Sequence, residues 1–222
     1  MNSVRLYYIK HQGDDDLAQI DAMQVEQWLC ALSSQKKVSI QRLLHYRNRV
    51  TSLSGLRLLN LCAQDEEIRG FKLSDVENPE TGKPFWKNDD VSFDFNITHS
   101  GNLILLVAST TLKVGVDVEE IRPLKRLSFK MVMSPDELVA IQLQPTIFFD
   151  LWSKKEAVVK AADTPGISRM SDVILKQDQA VLDDELWWLK TIDLDKQYAI
   201  NLATSAAVDE LIVKQVLLAN LK

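Results

Sequence analysis

Only two cysteines occur in 222 residues, Cys30 and Cys62, and neither belongs to a CxxC pair. That excludes a disulfide-stapled scaffold. It fits a reduced cytosolic setting in which both thiols are small packing residues. No apolar run approaches the roughly 18 residues of a membrane span. The opening MNSVRLYYIKHQGDDD lacks the apolar core and cleavage site of a signal peptide, so a cytoplasmic location is expected. There is no GxxxxGK[ST] P-loop and no kinase-like glycine loop. Excess positive charge is missing too: 26 Lys and Arg stand against 31 Asp and Glu, a net charge of −5. That argues against a general nucleic-acid binder, but not against small anions held in a local basic pocket.

What is present is ordinary for a globular chain, 46% hydrophobic and 26% charged. The length suits one large domain or two small ones and buries a core without staples. Val4 to Ile9 reads as an opening strand. Asp14-Asp15-Asp16 reads as a solvated helix start rather than a metal site, because negative charge suits that end of the helix dipole. A helical stretch is expected from Leu17 to Leu32 and a long helix from Ser39 to Cys62, with Gly55 inside it marking a close approach of packed elements. NPETGKP at 78–84 reads as a turn-rich link.

Phe93 to Ile97, Leu103 to Ser109 and Val114 to Val118 read as three strands of an antiparallel meander, with residues 98–102 as a hairpin loop. Ser134-Pro135-Asp136-Glu137 is a helix start, with a capping serine and proline in the first turn. Thr146 to Ala162 reads as a further helix. Val173–Leu175, Leu186–Ile192, Tyr198–Ala203 and Leu211–Leu218 are strand-like. The class is therefore α+β, with a hint of two similar halves divided near residues 110–115.

Four features carry chemistry. In Val114-Gly115-Val116-Asp117-Val118-Glu119, strand alternation points Asp117 and Glu119 the same way. Unpaired carboxylates in so apolar a context are costly, and a hard divalent cation would compensate them. The competing reading is a strand end whose acids reach solvent. Trp152, Glu156 and Lys160, spaced i, i+4 and i+8, form one helical stripe; an exposed ion pair would give the same spacing. Residues 27–64 hold Lys36, Lys37, Arg42, Arg47, Arg49 and Arg57 with no acid, a local charge of +6 that suits anion binding better than solubility alone. His99, in Phe95-Asn96-Ile97-Thr98-His99-Ser100-Gly101, is placed to donate to a phosphate, although a loop histidine can be incidental.

TGKP at 81–84, FNITHSG at 95–101, VGVDVE at 114–119 and WSKKEAVVK at 152–160 follow one another in the order and spacing of a known family. The chain resembles the Sfp-type 4′-phosphopantetheinyl transferases. The resemblance implies two similar α+β halves, 1–112 and 113–222, with the active site between them. It implies transfer of phosphopantetheine from coenzyme A to a serine of an apo acyl or peptidyl carrier protein, releasing 3′,5′-ADP. Asp117, Glu119 and Glu156 would bind Mg²⁺, and Glu156 would accept the serine proton. Lys160 would stabilise the pyrophosphate or leaving group, and Lys155 would support the site electrostatically. His99 would contact coenzyme A phosphate, Lys83 and Thr98 would line the nucleotide pocket, and Lys36 and Lys37 would bind phosphate.

The chain departs from the family pattern at three places. Thr98 stands where serine is usual. Thr51 stands where an arginine for the 3′-phosphate is common, with Arg47 one turn earlier as its substitute. Ala162-Asp163-Thr164-Pro165-Gly166 replaces a glycine-rich GxG. An inactive or weakly active relative that binds coenzyme A or a carrier without transfer, and a different Mg²⁺ phosphotransferase or phosphohydrolase, are the alternatives. A monomer is expected, and the carrier is left open among fatty-acid, polyketide, peptide-synthetase and aminoadipate-reductase carriers.

Overall fold

A computed structural model describes residues 1–88, 90–124 and 131–221. The elements in chain order are β1 (Ser3–Lys10), α1 (Asp14–Ala18), α2 (Ala22–Cys30), α3 (Ser34–Gln41), α4 (Tyr46–Asp65), β2 (Val76–Glu77), β3 (Phe85–Trp86), β4 (Asp94–Ser100), β5 (Leu103–Ser109) and β6 (Val114–Glu120). After these come α5 (Pro135–Leu143), α6 (Ile147–Ala162), β7 (Ile174–Leu175), β8 (Gln179–Leu182), β9 (Glu185–Thr191), β10 (Tyr198–Thr204) and β11 (Glu210–Gln215). The class is α+β.

The stretch from Leu17 to Leu32 is two helices rather than one. Asp21 ends the first segment by accepting a hydrogen bond from the Gln24 amide and starting α2 afresh. The long helix expected from Ser39 is also broken. Ser33 caps α3, and the backbone turns extended at His45 before α4 begins. Arg49 Nε donates to the Leu43 carbonyl at 2.7 Å, and the Tyr46 hydroxyl donates to the Ile20 carbonyl, so tertiary contacts hold the bend. No glycine or proline marks it in the sequence.

Two main sheets form, in the orders β11-β1-β5-β4 and β6-β10-β9-β8-β7. The expected meander is therefore corrected: β4 and β5 pair, but β6 leaves them and opens the second sheet against β10. The final strand, β11, returns to lie parallel to β1. Val4, Leu6, Leu103, Leu105 and Val107 of the first sheet meet Val114, Val116, Val118, Ile200 and Leu202 of the second in a buried layer. Alternate residues of the first sheet, with Val50, Leu53, Leu58 and Leu59 of α4, form another apolar layer. The outer layer of the second sheet packs Ala157, Val158 and Ala161 of α6 with Ala199 and Ala203.

β4 lies beside β6 without a backbone ladder. Asp94 Oδ2 accepts from the Val114 amide at 2.7 Å, Asn96 Oδ1 from the Val116 amide at 2.9 Å and Ser100 Oγ from the Glu120 amide at 3.1 Å. Alternate side chains of β4 thus satisfy the edge amides of β6, which would otherwise be buried without partners. This stitching fixes β6 against β4 and with it the position of Asp117.

Candidate active site

The site is built on Gly115. A Cβ placed there would lie 2.2 Å from the Ala157 carbonyl oxygen and 2.4 Å from the Ala161 amide nitrogen. Only a residue without a side chain lets the backbone of α6 settle on β6. Strand alternation then puts Asp117 and Glu119 on the face that α6 covers. Across the β6–β10 register, Gly115 faces Ala203, Asp117 faces Asn201 and Glu119 faces Ala199, so small residues flank the acids. Ala157 and Ala161 sit on Gly115, and Glu156 and Lys160 are their neighbours on the helix.

One carboxylate oxygen from each of Asp117, Glu119 and Glu156 lies within 4.8 Å of the others. Lys160 Nζ donates to Asp117 Oδ1 at 2.7 Å and stands 3.2 Å from Glu156 Oε1. Thr98 Oγ1 donates to Asp117 Oδ1 at 3.3 Å. Trp152 Nε1 donates to Glu156 Oε2 at 2.8 Å, so the i, i+4, i+8 stripe is a connected chain of contacts. Asp117 is 3% exposed, and its Oδ2 is buried with no hydrogen-bond partner among the described residues.

The electrostatics are those of an under-neutralised acidic cluster. Burial pushes the Asp117 carboxyl up to about 7, against the pull of the Lys160 ammonium. Burial and the Glu156 charge also raise Glu119. Burial lowers Lys160, but Asp117 and Glu156 more than offset it and its pKa is raised. With all three carboxylates ionised, three negative charges face the Lys160 ammonium, with the Arg122 charge acting on Glu119 as well; a divalent cation would favour that ionised form. All-oxygen donors suit a hard cation such as Mg²⁺, and the orphaned Asp117 Oδ2 is the kind of atom such an ion would engage.

The other expected site residues fall into three groups. Lys83 lines a cavity of about 340 Å³ together with Asn96, Ile97, Glu156, Val159 and Lys160. Its ammonium is held 2.6 Å from Asp94 Oδ2, and its backbone amide donates to Asp163 Oδ1 at 2.8 Å. His99 is exposed at the end of β4, in the strand rather than in a loop. The hairpin turn is only Gly101 and Asn102, where Gly101 has φ +53°. Partial desolvation lowers the His99 pKa, and the charges of Lys160 and Arg47 lower it further. Arg47 grips that turn, donating to the Gly101 carbonyl at 2.8 Å and to Asn102 Oδ1 at 3.2 Å, and pairs with Asp14 at 2.6 Å.

The remaining lysines each have a partner within the protein. Lys36 donates to Asn78 Oδ1 at 3.0 Å, and Lys37 lies 3.8 Å from Glu26. Lys155 is buried on another face of α6, donating to the Val132 carbonyl at 2.9 Å and pairing with Glu137 at 2.8 Å. It ties α5 to α6 instead of joining the acids. Sequence reasoning missed Asn201, which stands in no recognisable pattern, and Ser153, which lies inside the 152–160 stretch but drew no role there; both are wholly buried and are bonded to each other between α6 and β10.

Residues 113–203, from β6 through β10, match a family model described as the 4′-phosphopantetheinyl transferase superfamily. The chain is similar to the 4′-phosphopantetheinyl transferase psf-1 of Bacillus pumilus, 28% identical over 193 residues, covering 82% of each protein. It is 29% identical to a 4′-phosphopantetheinyl transferase of Bacillus subtilis over 196 residues, covering 82% of this chain and 85% of that one. A shorter match, 34% identical over 86 residues and 36% of each chain, is to the 4′-phosphopantetheinyl transferase HetI of Nostoc sp..

Proposed function

We propose that this chain is a member of the 4′-phosphopantetheinyl transferase superfamily, to whose family model and proteins it is similar, and that it transfers 4′-phosphopantetheine from coenzyme A to a serine of an apo carrier protein. The observation that carries the reading is the meeting of Asp117, Glu119 and Glu156 within 4.8 Å, with Lys160 among them. Those three acids would hold Mg²⁺. Bound there, the ion would supply positive charge to the pyrophosphate and offset what develops on the leaving group.

The chain's own groups account for the rest. Glu156 takes the proton of the carrier serine hydroxyl. The serine oxygen bonds to the β-phosphorus of coenzyme A, and the bond from that phosphorus to the bridging oxygen breaks. The electron pair leaves with 3′,5′-ADP. Lys160, close to two of the acids, stabilises the departing charge. His99 and Arg47 meet coenzyme A phosphate, with Lys36 and Lys37 as further cations. Lys83 and Thr98 line the nucleotide side. The halves 1–112 and 113–222 act as one monomeric unit in the cytoplasm, with carrier and coenzyme A entering between them.

The test is incubation with a panel of apo carriers, coenzyme A and Mg²⁺, read by intact mass. A gain of one phosphopantetheine on the carrier supports the assignment. Binding of carrier or coenzyme A without a mass gain sinks it.

A further inference from the structure

Helix α6 brings Glu156 and Lys160 to the acids of β6, so its position along the strand decides the cluster. A slip of one residue moves a side chain about 1.5 Å along the axis and about 100° around it. The contact at Gly115 supplies room for α6 but is a steric fit between small groups, which leaves sliding along the groove weakly opposed. A second, polar anchor lies a turn earlier, beneath Ser153.

Asn201 provides it. Its side chain is wholly buried, directly across the ladder from Asp117. Asn201 Nδ2 donates to Ser153 Oγ at 2.6 Å and to Asp150 Oδ1 at 3.1 Å, both on α6. Its Oδ1 accepts from Thr191 Oγ1 on β9 at 2.8 Å. Ser153 Oγ in turn donates to the Asp150 carbonyl at 3.2 Å. One amide therefore keys the first half of α6 to two strands of the sheet. Any slip would strand buried polar groups, at about 1–3 kcal/mol for each one left unpaired. Ser153 lies three residues before Glu156 and seven before Lys160, so it shares their side of the helix.

We propose that Asn201 is a positioning residue for the carboxylate cluster: through Ser153 and Asp150 it fixes the register of α6 on β6, and thereby the approach of Glu156 and Lys160 to Asp117. This rests on the metal-dependent transferase reading, which it extends to a residue that touches neither metal nor substrate.

The experiment compares Asn201→Ala, Ser153→Ala and Thr191→Val in the full chain. Mn²⁺ binding is followed by calorimetry, coenzyme A and carrier transfer by mass, and thermal stability alongside. Asn201→Ala should weaken Mn²⁺ binding and lower kcat by about 10–100-fold each, the usual effect of losing a group that orients a ligand, while KM for coenzyme A stays within about twofold. Ser153→Ala removes the same contact from the helix side and should reproduce the effect; it serves as the test should Asn201→Ala fail to fold. Thr191→Val loosens only the bond within the sheet and should lower stability with Mn²⁺ affinity and kcat retained. If Asn201→Ala and Ser153→Ala bind Mn²⁺ and turn over like the wild type, the proposal is wrong. If the wild type binds Mn²⁺ but transfers nothing, the transferase reading falls while the Mn²⁺ comparison still decides the role of Asn201.

Discussion

Replacing Gly115 by alanine tests the packing on which the site stands. The added Cβ would lie 2.2 Å from the Ala157 carbonyl oxygen, 2.4 Å from the Ala161 nitrogen and 2.9 Å from its Cα. All three are backbone atoms, so no rotamer change relieves them. α6 has to retreat by about 0.8 Å merely to bring the first contact to 3.0 Å. Overpacking of this kind costs about 1–3 kcal/mol. In a chain of this size that corresponds to a Tm lowered by about 2–12 °C.

The retreat carries Glu156 and Lys160 away from Asp117, and a misplacement near 1 Å costs about 100-fold in rate. Calorimetry and the carrier-modification assay should therefore show a folded, less stable protein with kcat reduced about 100-fold. Gly55→Ala is the internal control. Its new Cβ would meet Ile97 Cγ2 at 2.7 Å, a branch carbon of a side chain that is stiff at χ1, so Ile97 has to shift, while the substitution recovers about 1 kcal/mol of helix propensity. With one side-chain clash in place of three backbone clashes, it should cost less stability than Gly115→Ala. A Gly115→Ala protein with wild-type Tm and turnover would refute the claim that α6 is seated on bare backbone.

Asp117→Ala and Glu156→Ala should each abolish carrier modification while circular dichroism reports an intact fold; transfer at the wild-type rate by either would remove the metal assignment. Lys160→Ala should lower kcat more than it weakens coenzyme A binding, as expected of a group engaged in the transition state. The same variant leaves Asp117 and Glu156 without their cation. Its Tm should accordingly rise more on adding Mg²⁺ than that of the wild type, since a ligand bound only by the folded state stabilises it. A thiol reagent should find Cys30 in the native protein and Cys62 only after unfolding, because Cys30 is exposed while burial raises the Cys62 thiol to about 12. Two fast-reacting thiols in the native state would contradict the packing of α4.

The comparison of α3 with α5 shows why some boundaries were legible and others were not. Ser134, Pro135 and Glu137 announce a helix start within four consecutive positions, and the capping box is formed. Between α3 and α4 the break depends on Tyr46 reaching Ile20 and on Arg49 reaching Leu43, contacts that leave no local trace. β6 misled for a related reason. Short links favour pairing with the preceding strand, but β10, far along the chain, gives β6 a full ladder, while β4 satisfies its other edge through side chains.

By itself the sequence determined what lies within single elements. Two-residue alternation put Asp117 and Glu119 on one face of a strand, and helical repetition put Trp152, Glu156 and Lys160 in one stripe. Only the tertiary structure decided that the stripe meets the face. It also decided that Lys160 joins the acids while Lys155 turns to Glu137, and that Asn201 anchors the helix from below. Periodicity is a property of local backbone geometry and can be read residue by residue. The meeting of α6 with β6 is a packing result, set by the bare backbone at Gly115 and by contacts between residues dozens of positions apart.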